Sequence, residues 1–508
     1  MNKRHLILFS LVACLLAAQE MPVRETEKET IARCLQELKS EDVTLRRRAI
    51  LLAIKYNTPE VEQAVVASLQ DTDEQVRQAA LVSLTEDRII PQEARMPLVR
   101  MLRDPSVHIR RIASSMLPEA MGVMMHGPIS YGARIRVGGG RTPEQEAELA
   151  ECLNAGLMDS DPSVRKNVLR GARFFSGSLN ATGLATFFQD QDAEMRTLAL
   201  DCFARADGSR TEKVASIAPL VKDPQIPVRQ TLVKVADELL PEGESILKEL
   251  TDDAVAEVRC PAILAMARAH LPGAFPKLVA NIRDETVPAR LRNALVAQLR
   301  SYPDEARPVL YELLATQNEE IRLTSLRLLS SGAFGELSLD TLQKLLADDS
   351  SAVRKQALFP LRKALASPRL ADLRPFLKSR FPDVRSFALG QLGRCPREED
   401  ISQEVMDAVM DDAVPVRVAA LRVLAMRRLE NAQEILLASL QDESNEIQEA
   451  AVTNLLMFPP NEEIQKALAK WLPKERQDPL ARRVRSYLNR RAIAPPPVRP
   501  KPQNHRQP

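Results

Sequence analysis

A motif of the form Asp-x-Asp-x-x-Val-Arg-x-x-Ala, seen in Asp71 to Ala80, returns in phase along most of the chain. Such a period argues against one globular core, because each unit must bury its apolar face against its neighbours. With the arginine as reference, the frame falls on Arg46, Arg77, Arg110, Arg165, Arg196, Arg229, Arg259, Arg290, Arg322, Arg354, Arg385 and Arg417, and then on Gln448. The expected period is 31–33 residues, interrupted by one spacing of 55 between Arg110 and Arg165. Six residues before the reference stand Asp71, Asp104, Asp159, Asp190, Asp223, Asp253, Asp284, Asp348, Asp411 and Asp442, with Ser40, Thr316 and Ser379 as substitutes. All can cap a helix or close a turn.

The position just before the reference is apolar in every unit, from Leu45 and Val76 to Val416 and Ile447. Three residues after it comes a small residue, as in Ala49, Ala80, Ala113, Ala357 and Ala451, and larger apolar residues follow at four and seven. These offsets lie on one helical stripe, with alanine where a neighbouring helix must come close. A second apolar pattern ends just before the aspartate, at Leu69, Leu102, Leu157 or Leu346. Each unit therefore reads as helix, short turn, helix. Prolines such as Pro105, Pro162, Pro227, Pro382 and Pro415 fall at the turn or the first turn of the second helix, where proline is tolerated. Aromatic residues make up only 4% of the 508, which suits helix pairs packed through Leu, Val and Ala. The expected fold is all-α, an α-solenoid of about 13–14 antiparallel helix pairs.

The ends and one interruption stand outside this pattern. Residues 1–20 read as an export signal, with Lys3, Arg4 and His5 before an apolar run from Leu6 to Leu16 and the small pair Ala17-Ala18. Cleavage is expected near Ala18; Leu11-Val12-Ala13-Cys14 resembles a lipobox and makes Cys14 the alternative, lipidated first residue. Repeats 1–3 occupy 25–120 and repeats 4–13 occupy 143–460. Between them, 121–142 holds six of the chain's seventeen glycines, and Ile129, Tyr131, Ala133, Ile135 and Val137 alternate there with Ser130, Gly132, Arg134 and Arg136. A short hairpin projecting from the helical wall is expected. A degenerate closing pair with Trp471 spans 461–491, and a proline-rich, disordered tail spans 492–508. Residues 461–508 carry twelve Lys and Arg against four Asp and Glu, while the whole chain has a net charge of only +2.

Chemistry is sparse by comparison. Met121, Met124, Met125 and His126 have the donor types for a soft metal, but methionine more often fills apolar gaps. Gly138-Gly139-Gly140-Arg141 lacks the lysine and the strand–helix context of a phosphate loop. Insertions on one face of a solenoid often line its binding surface, so Met124, His126, Tyr131, Arg134, Arg136 and Arg141 are the candidate partner-binding residues. Past Cys14, five scattered cysteines lack the pairing expected of a disulfide framework and read as small buried residues. His108 and His270 are not at ligand spacing. The recurrent pairs Asp71, Arg77, Asp104, Arg110, Asp159, Arg165, Asp190, Arg196, Asp348 and Arg354 read as a structural ladder along the turns, built of exposed ion pairs that set register. A residue present in every repeat marks no single catalytic position, and no cofactor is expected.

On the Asp-x-Asp-x-x-Val-Arg-x-x-Ala motif, the chain resembles the HEAT-repeat family, particularly the short bacterial type similar to phycobilisome lyase-like repeats. The resemblance implies a right-handed superhelix whose concave face binds protein or, in some members, nucleic acid. It departs at Ala289-Arg290, where Arg292 offers another register, and at Pro261 and Pro360, which should kink their helices. The expected function is a non-enzymatic scaffold outside the cytoplasm, periplasmic or tethered to the membrane, holding a protein partner on the concave face. The alternatives are an enzyme-like relative, either bilin lyase-like or nucleic-acid-processing, and attachment of the basic C-terminal end to an anionic surface. Nucleic acid is disfavoured, because the remainder of the chain is net negative.

Overall fold

The structure is a computed structural model that describes residues 26–489 apart from 54, 57, 85–89, 91, 121–141, 173–178 and 474. The expected export signal with Cys14, the insertion with Met124, His126, Tyr131, Arg134, Arg136 and Arg141, and the tail 492–508 lie outside the described residues. Among the described residues there is no strand, only an isolated parallel bridge between Asn180 and Asp207. The chain divides into two compact units at Leu278 and Val279, each built of helix pairs stacked in chain order as in an α-solenoid. In the first unit the second helices include Glu74–Ser83, Val107–Ser115, Pro162–Ala172, Ala193–Phe203, Ile226–Glu238 and Ala256–Arg268. In the second they are Ala289–Gln298, Glu319–Ser330, Ser351–Ala364, Pro382–Leu392, Val414–Arg427, Asn445–Leu455 and Pro479–Leu488.

Local sequence explains where these helices start. The aspartate closes an Asx turn, its Oδ1 accepting the backbone N–H two residues on, as in Asp73 N to Asp71 at 2.8 Å and Ser350 N to Asp348 at 2.8 Å. The next polar residue caps the helix: Asp73 accepts from Gln75 N and Val76 N, and Ser106 accepts from His108 N. Several first helices tighten into a 3-10 turn before this point, as at Ser68–Gln70 and Met101–Arg103, which seats Leu69 and Leu102 in the core.

The small-residue stripe is the tightest part of each stack. Ala49, Ala80, Ala199, Ala262, Ala357, Ala388, Ala420 and Ala451 are completely buried, and within each unit the second helices pack against their successors. Gly171, six residues after Arg165, marks another close approach, since a Cβ there would lie 2.8 Å from that of Leu117.

The period is slightly looser than 31–33 residues, because Arg229 and Arg259 stand only 30 apart. The register at Arg290 is also corrected. The Asp284 turn contains two extra residues, so Pro288 caps the helix Ala289–Gln298 and its fourth residue is Arg292. Arg77 holds the same place in Glu74–Ser83. Leu295 and Val296, three and four residues after Arg292, are fully buried, whereas Arg290 is exposed.

Helices Ala256–Arg268 and Ser351–Ala364 run on through Pro261 and Pro360. Pro261 has no N–H to give to the Glu257 carbonyl, but the Gln230 side chain on the preceding second helix donates to that oxygen at 3.2 Å.

Candidate functional surface

In most repeats the recurrent Asp and Arg meet between successive units, and the arginine does two jobs. Arg77 Nη1 donates to the carbonyls of Asp71 and Thr72 in its own turn, at 2.8 and 3.0 Å. Its Nε and Nη2 grip both carboxylate oxygens of Asp104 in the next repeat, at 2.7 and 3.0 Å. The same bidentate geometry joins Arg46 to Asp71, Arg110 to Asp159, Arg196 to Asp223, Arg229 to Asp253, Arg322 to Asp348 and Arg385 to Asp411. Arg77, Asp104, Arg196, Asp223 and Arg354 are buried, so the expectation of exposed pairs is corrected. Their charges are withdrawn from water because the turn packs over them. Each arginine is a planar fork with both edges filled by acceptors.

Rungs change where an acid is missing. Arg354 meets Ser379 in the expected frame and pairs instead with Asp383, while its guanidinium lies 3.7 Å from the centroid of the Phe381 ring. Arg292 faces a repeat with Thr316 in the aspartate position, and its buried Nε has no partner among the described residues. Arg165 donates to the carbonyls of Asp159 and Ser160 but makes no ion pair with Asp190 among the described residues. At the C-terminal end Gln448 donates to the Asp442 carbonyl at 2.8 Å, as an arginine would, and accepts from Trp471 Nε1 at 3.1 Å.

The insertion does not disturb the stack. Arg110 and Asp159, 49 residues apart, form a rung like the others, and Arg111 pairs with Asp161 beside them. Hydrogen bonding to Arg111 holds the Asp161 carboxyl down at about 2. After the insertion Thr142 and Gln145 form a capping box, and the helix Pro143–Leu157 packs back through Arg100 to Glu148 and Arg103 to Glu151. A cleft of about 510 Å³ opens on these turns, lined by Asp71, Arg77, Arg100, Asp104, Glu148 and Cys152 among others. Its charged groups are already paired within the fold.

A second cleft, of about 410 Å³, is lined by Asn180, Phe203, Asp207, Ser209 and Lys213 among others. Lys213 was not legible in the sequence. It is buried, its ammonium donates to the carbonyls of Ala204 and Ala206, and burial pushes it below the usual lysine range. It closes the end of helix Ala193–Phe203, a position where a cation meets exposed carbonyls. His108 lies in the first turn of its helix, and His270 follows Arg268 in a left-handed conformation, with φ of 52°. Cys34, Cys152, Cys202, Cys260 and Cys395 are free and buried. Among the described residues no group of three or more His, Cys, Asp or Glu could hold a metal, and no helix is long and apolar enough to cross a membrane.

Both helices of a pair keep a solvent face: on first helices it includes Leu339 and Met406, and on second helices it follows the repeat frame. That second-helix face recurs mainly at five and nine residues after the reference, as at Phe359, Arg422 and Met426, with Lys355 beside it. The fold and its consumed charges define a tandem helix-pair repeat protein with extended surfaces.

The HEAT-repeat family model matches residues 31–117 and 370–456, so the chain carries HEAT repeats in these two regions. No curated protein matches it. Similar solved structures include Kap121p bound to Ste12p, at 13% identity and a TM-score of 0.48, covering 79% of this chain and 48% of that one. Kap121p bound to Nup53p gives 13% identity and a TM-score of 0.47, over 80% and 49%. The chain thus spans about half the length of these two. An engineered protein matches at 16% identity and a TM-score of 0.26, over 86% of this chain and 99% of that one.

Proposed function

We propose that this chain is a non-enzymatic scaffold that holds a protein partner along the face of its second helices, with the insertion 121–142 adding contacts at one edge. The observation that carries this reading is the occupation of the ladder. The recurrent arginines and aspartates are spent on holding repeats in register, so chemistry is left to an extended, unpartnered helix face. Stacked repeats of this kind present long surfaces to other macromolecules. Export is part of the proposal and is supported by the Lys3-Arg4 start, the apolar run from Leu6 to Leu16 and the small pair Ala17-Ala18.

Crosslinking and affinity capture of the full chain from its native envelope fraction test this reading. A specific protein recovered in stoichiometric amount is expected, and deletion of 121–141 should weaken its capture while leaving helical content unchanged. Recovery of no protein would contradict the scaffold. Fractionation tests export separately: an uncleaved chain in the cytoplasm would contradict that part.

A further inference from the structure

The second helices of the second unit form an unbroken series poor in acids. C-terminal to the reference position, the five from Ala289–Gln298 through Val414–Arg427 contain no Asp or Glu. Their exposed faces carry Arg327, Lys355, Arg362 and Arg422, and Arg300 is exposed in the 3-10 turn that follows Ala289–Gln298. In the first unit the segments after Arg46, Arg77, Arg110, Arg165 and Arg259 also lack acids, but Asp201, Asp237 and Glu238 interrupt the series, so the longest unbroken run lies in the second unit. The run ends at Asn445–Leu455, where Glu449 returns and pairs with Arg476.

Apolar groups are set into this basic face. Five residues after the reference, four neighbouring helices present Arg327, Phe359, Gly390 and Arg422 in turn. Phe359 is 69% exposed, a costly position for a large aromatic without a partner. A Cβ built at Gly390 would meet nothing within 4 Å, so the surface beside Phe359 is notched rather than filled. The far side is closed by Met426, which is 41% exposed and whose Cε lies against Gly393. Arg362 stands 5.7 Å from the Phe387 ring centroid, joining the apolar and basic parts.

We infer that this face binds an extended acidic protein segment that places an apolar side chain in the notch between Phe359 and Met426, with carboxylates on Arg327 and Arg422. The inference rests on the scaffold reading and names the chemistry of its partner. Charge complementarity selects the occupant: uncompensated cations on a face without carboxylates favour an acidic chain and raise its rate of encounter. The chain's own tail is excluded, because Arg490, Arg491, Arg499, Lys501 and Arg506 would be repelled. The apolar notch favours a polypeptide over nucleic acid, since methionine and a glycine floor adapt to aliphatic side chains while offering no second stacking platform.

The test is fluorescence anisotropy with the full chain and a labelled peptide of alternating glutamate and serine carrying one central leucine. Saturable binding that weakens with salt is expected. Arg327→Glu with Arg422→Glu should lower affinity more than about tenfold, and Phe359→Ala or leucine-to-serine in the peptide about tenfold. These side chains are exposed, so circular dichroism should stay unchanged and separate lost binding from lost fold. No saturable binding up to about 1 mM, or equal binding by the variants, would overturn the inference. So would tight binding of polyuridylate that the peptide fails to displace, or a peptide effect explained by self-association in sedimentation. A native partner still captured by the Arg327→Glu, Arg422→Glu chain would leave the scaffold standing and remove this face from it.

Discussion

The side-chain amide of Gln230 donates to the main-chain carbonyl of Glu257, the carbonyl that Pro261 leaves without its helical donor. A proline inside a helix is thereby accommodated by the neighbouring helix, and the two residues should be coupled. Gln230→Leu strands a half-buried carbonyl and is expected to cost about 1–2 kcal/mol. In a Pro261→Ala background, where the helical N–H returns, the same change should cost less than half as much. Urea unfolding of the four chains in a double-mutant cycle checks this, and strict additivity would separate the residues.

The ladder should be unequal to ordinary surface ion pairs. Asp104→Ala removes both acceptors from the buried fork of Arg77 and should destabilise by about 3 kcal/mol. Asp340→Ala, which breaks the exposed pair with Lys344, should cost under about 0.5 kcal/mol. Native-state hydrogen exchange should place the Asp104→Ala loss in the repeats on either side of the rung, because stability in a repeat stack is local.

Acid should weaken the same contacts. Hydrogen bonding to Arg111 holds Asp161 down at about 2, and Arg385 holds Asp411 below the usual aspartate range. A carboxyl depressed by folding stabilises the protein above its unfolded pKa of about 3.9, and that contribution is lost as pH falls through the folded value. Melting temperature should therefore drop between about pH 4 and pH 2. Asp161→Asn should start lower and show a shallower drop across that window.

Arg428 closes the helix Val414–Arg427 in a left-handed conformation, with φ of 51°, and its side chain is exposed. A side chain there costs about 1 kcal/mol relative to glycine. Arg428→Gly is expected to raise stability by roughly that amount, read as a higher urea midpoint with an unchanged slope. A lower midpoint would assign Arg428 a contact that outweighs its strain.

The helix pairs, turns and rungs were legible because one frame repeats them, so a weak local signal accumulates over many copies. Val76, Ala80 and Leu81 recur in kind and are buried as a group. The departures from the frame are local, and of them only the Arg292 register was visible in the sequence. Two additional turn residues moved the reference from Arg290 to Arg292, and Asp383 replaced the missing acid at Ser379. Gln230 and Lys213 act on backbone carbonyls, which have no letter in a sequence. The exposure of the rungs was misjudged because burial there depends on how neighbouring turns pack.

The proposal that the second-helix face holds the partner can be tested directly by placing a photo-crosslinking residue at single exposed positions of the full chain. Lys234, Arg327 and Arg422 lie on second helices, whereas Glu60, Lys344 and Lys466 lie on first helices. The account predicts a partner adduct of one discrete mass from the second-helix positions and none from the others. Adducts from the first-helix positions alone would contradict it.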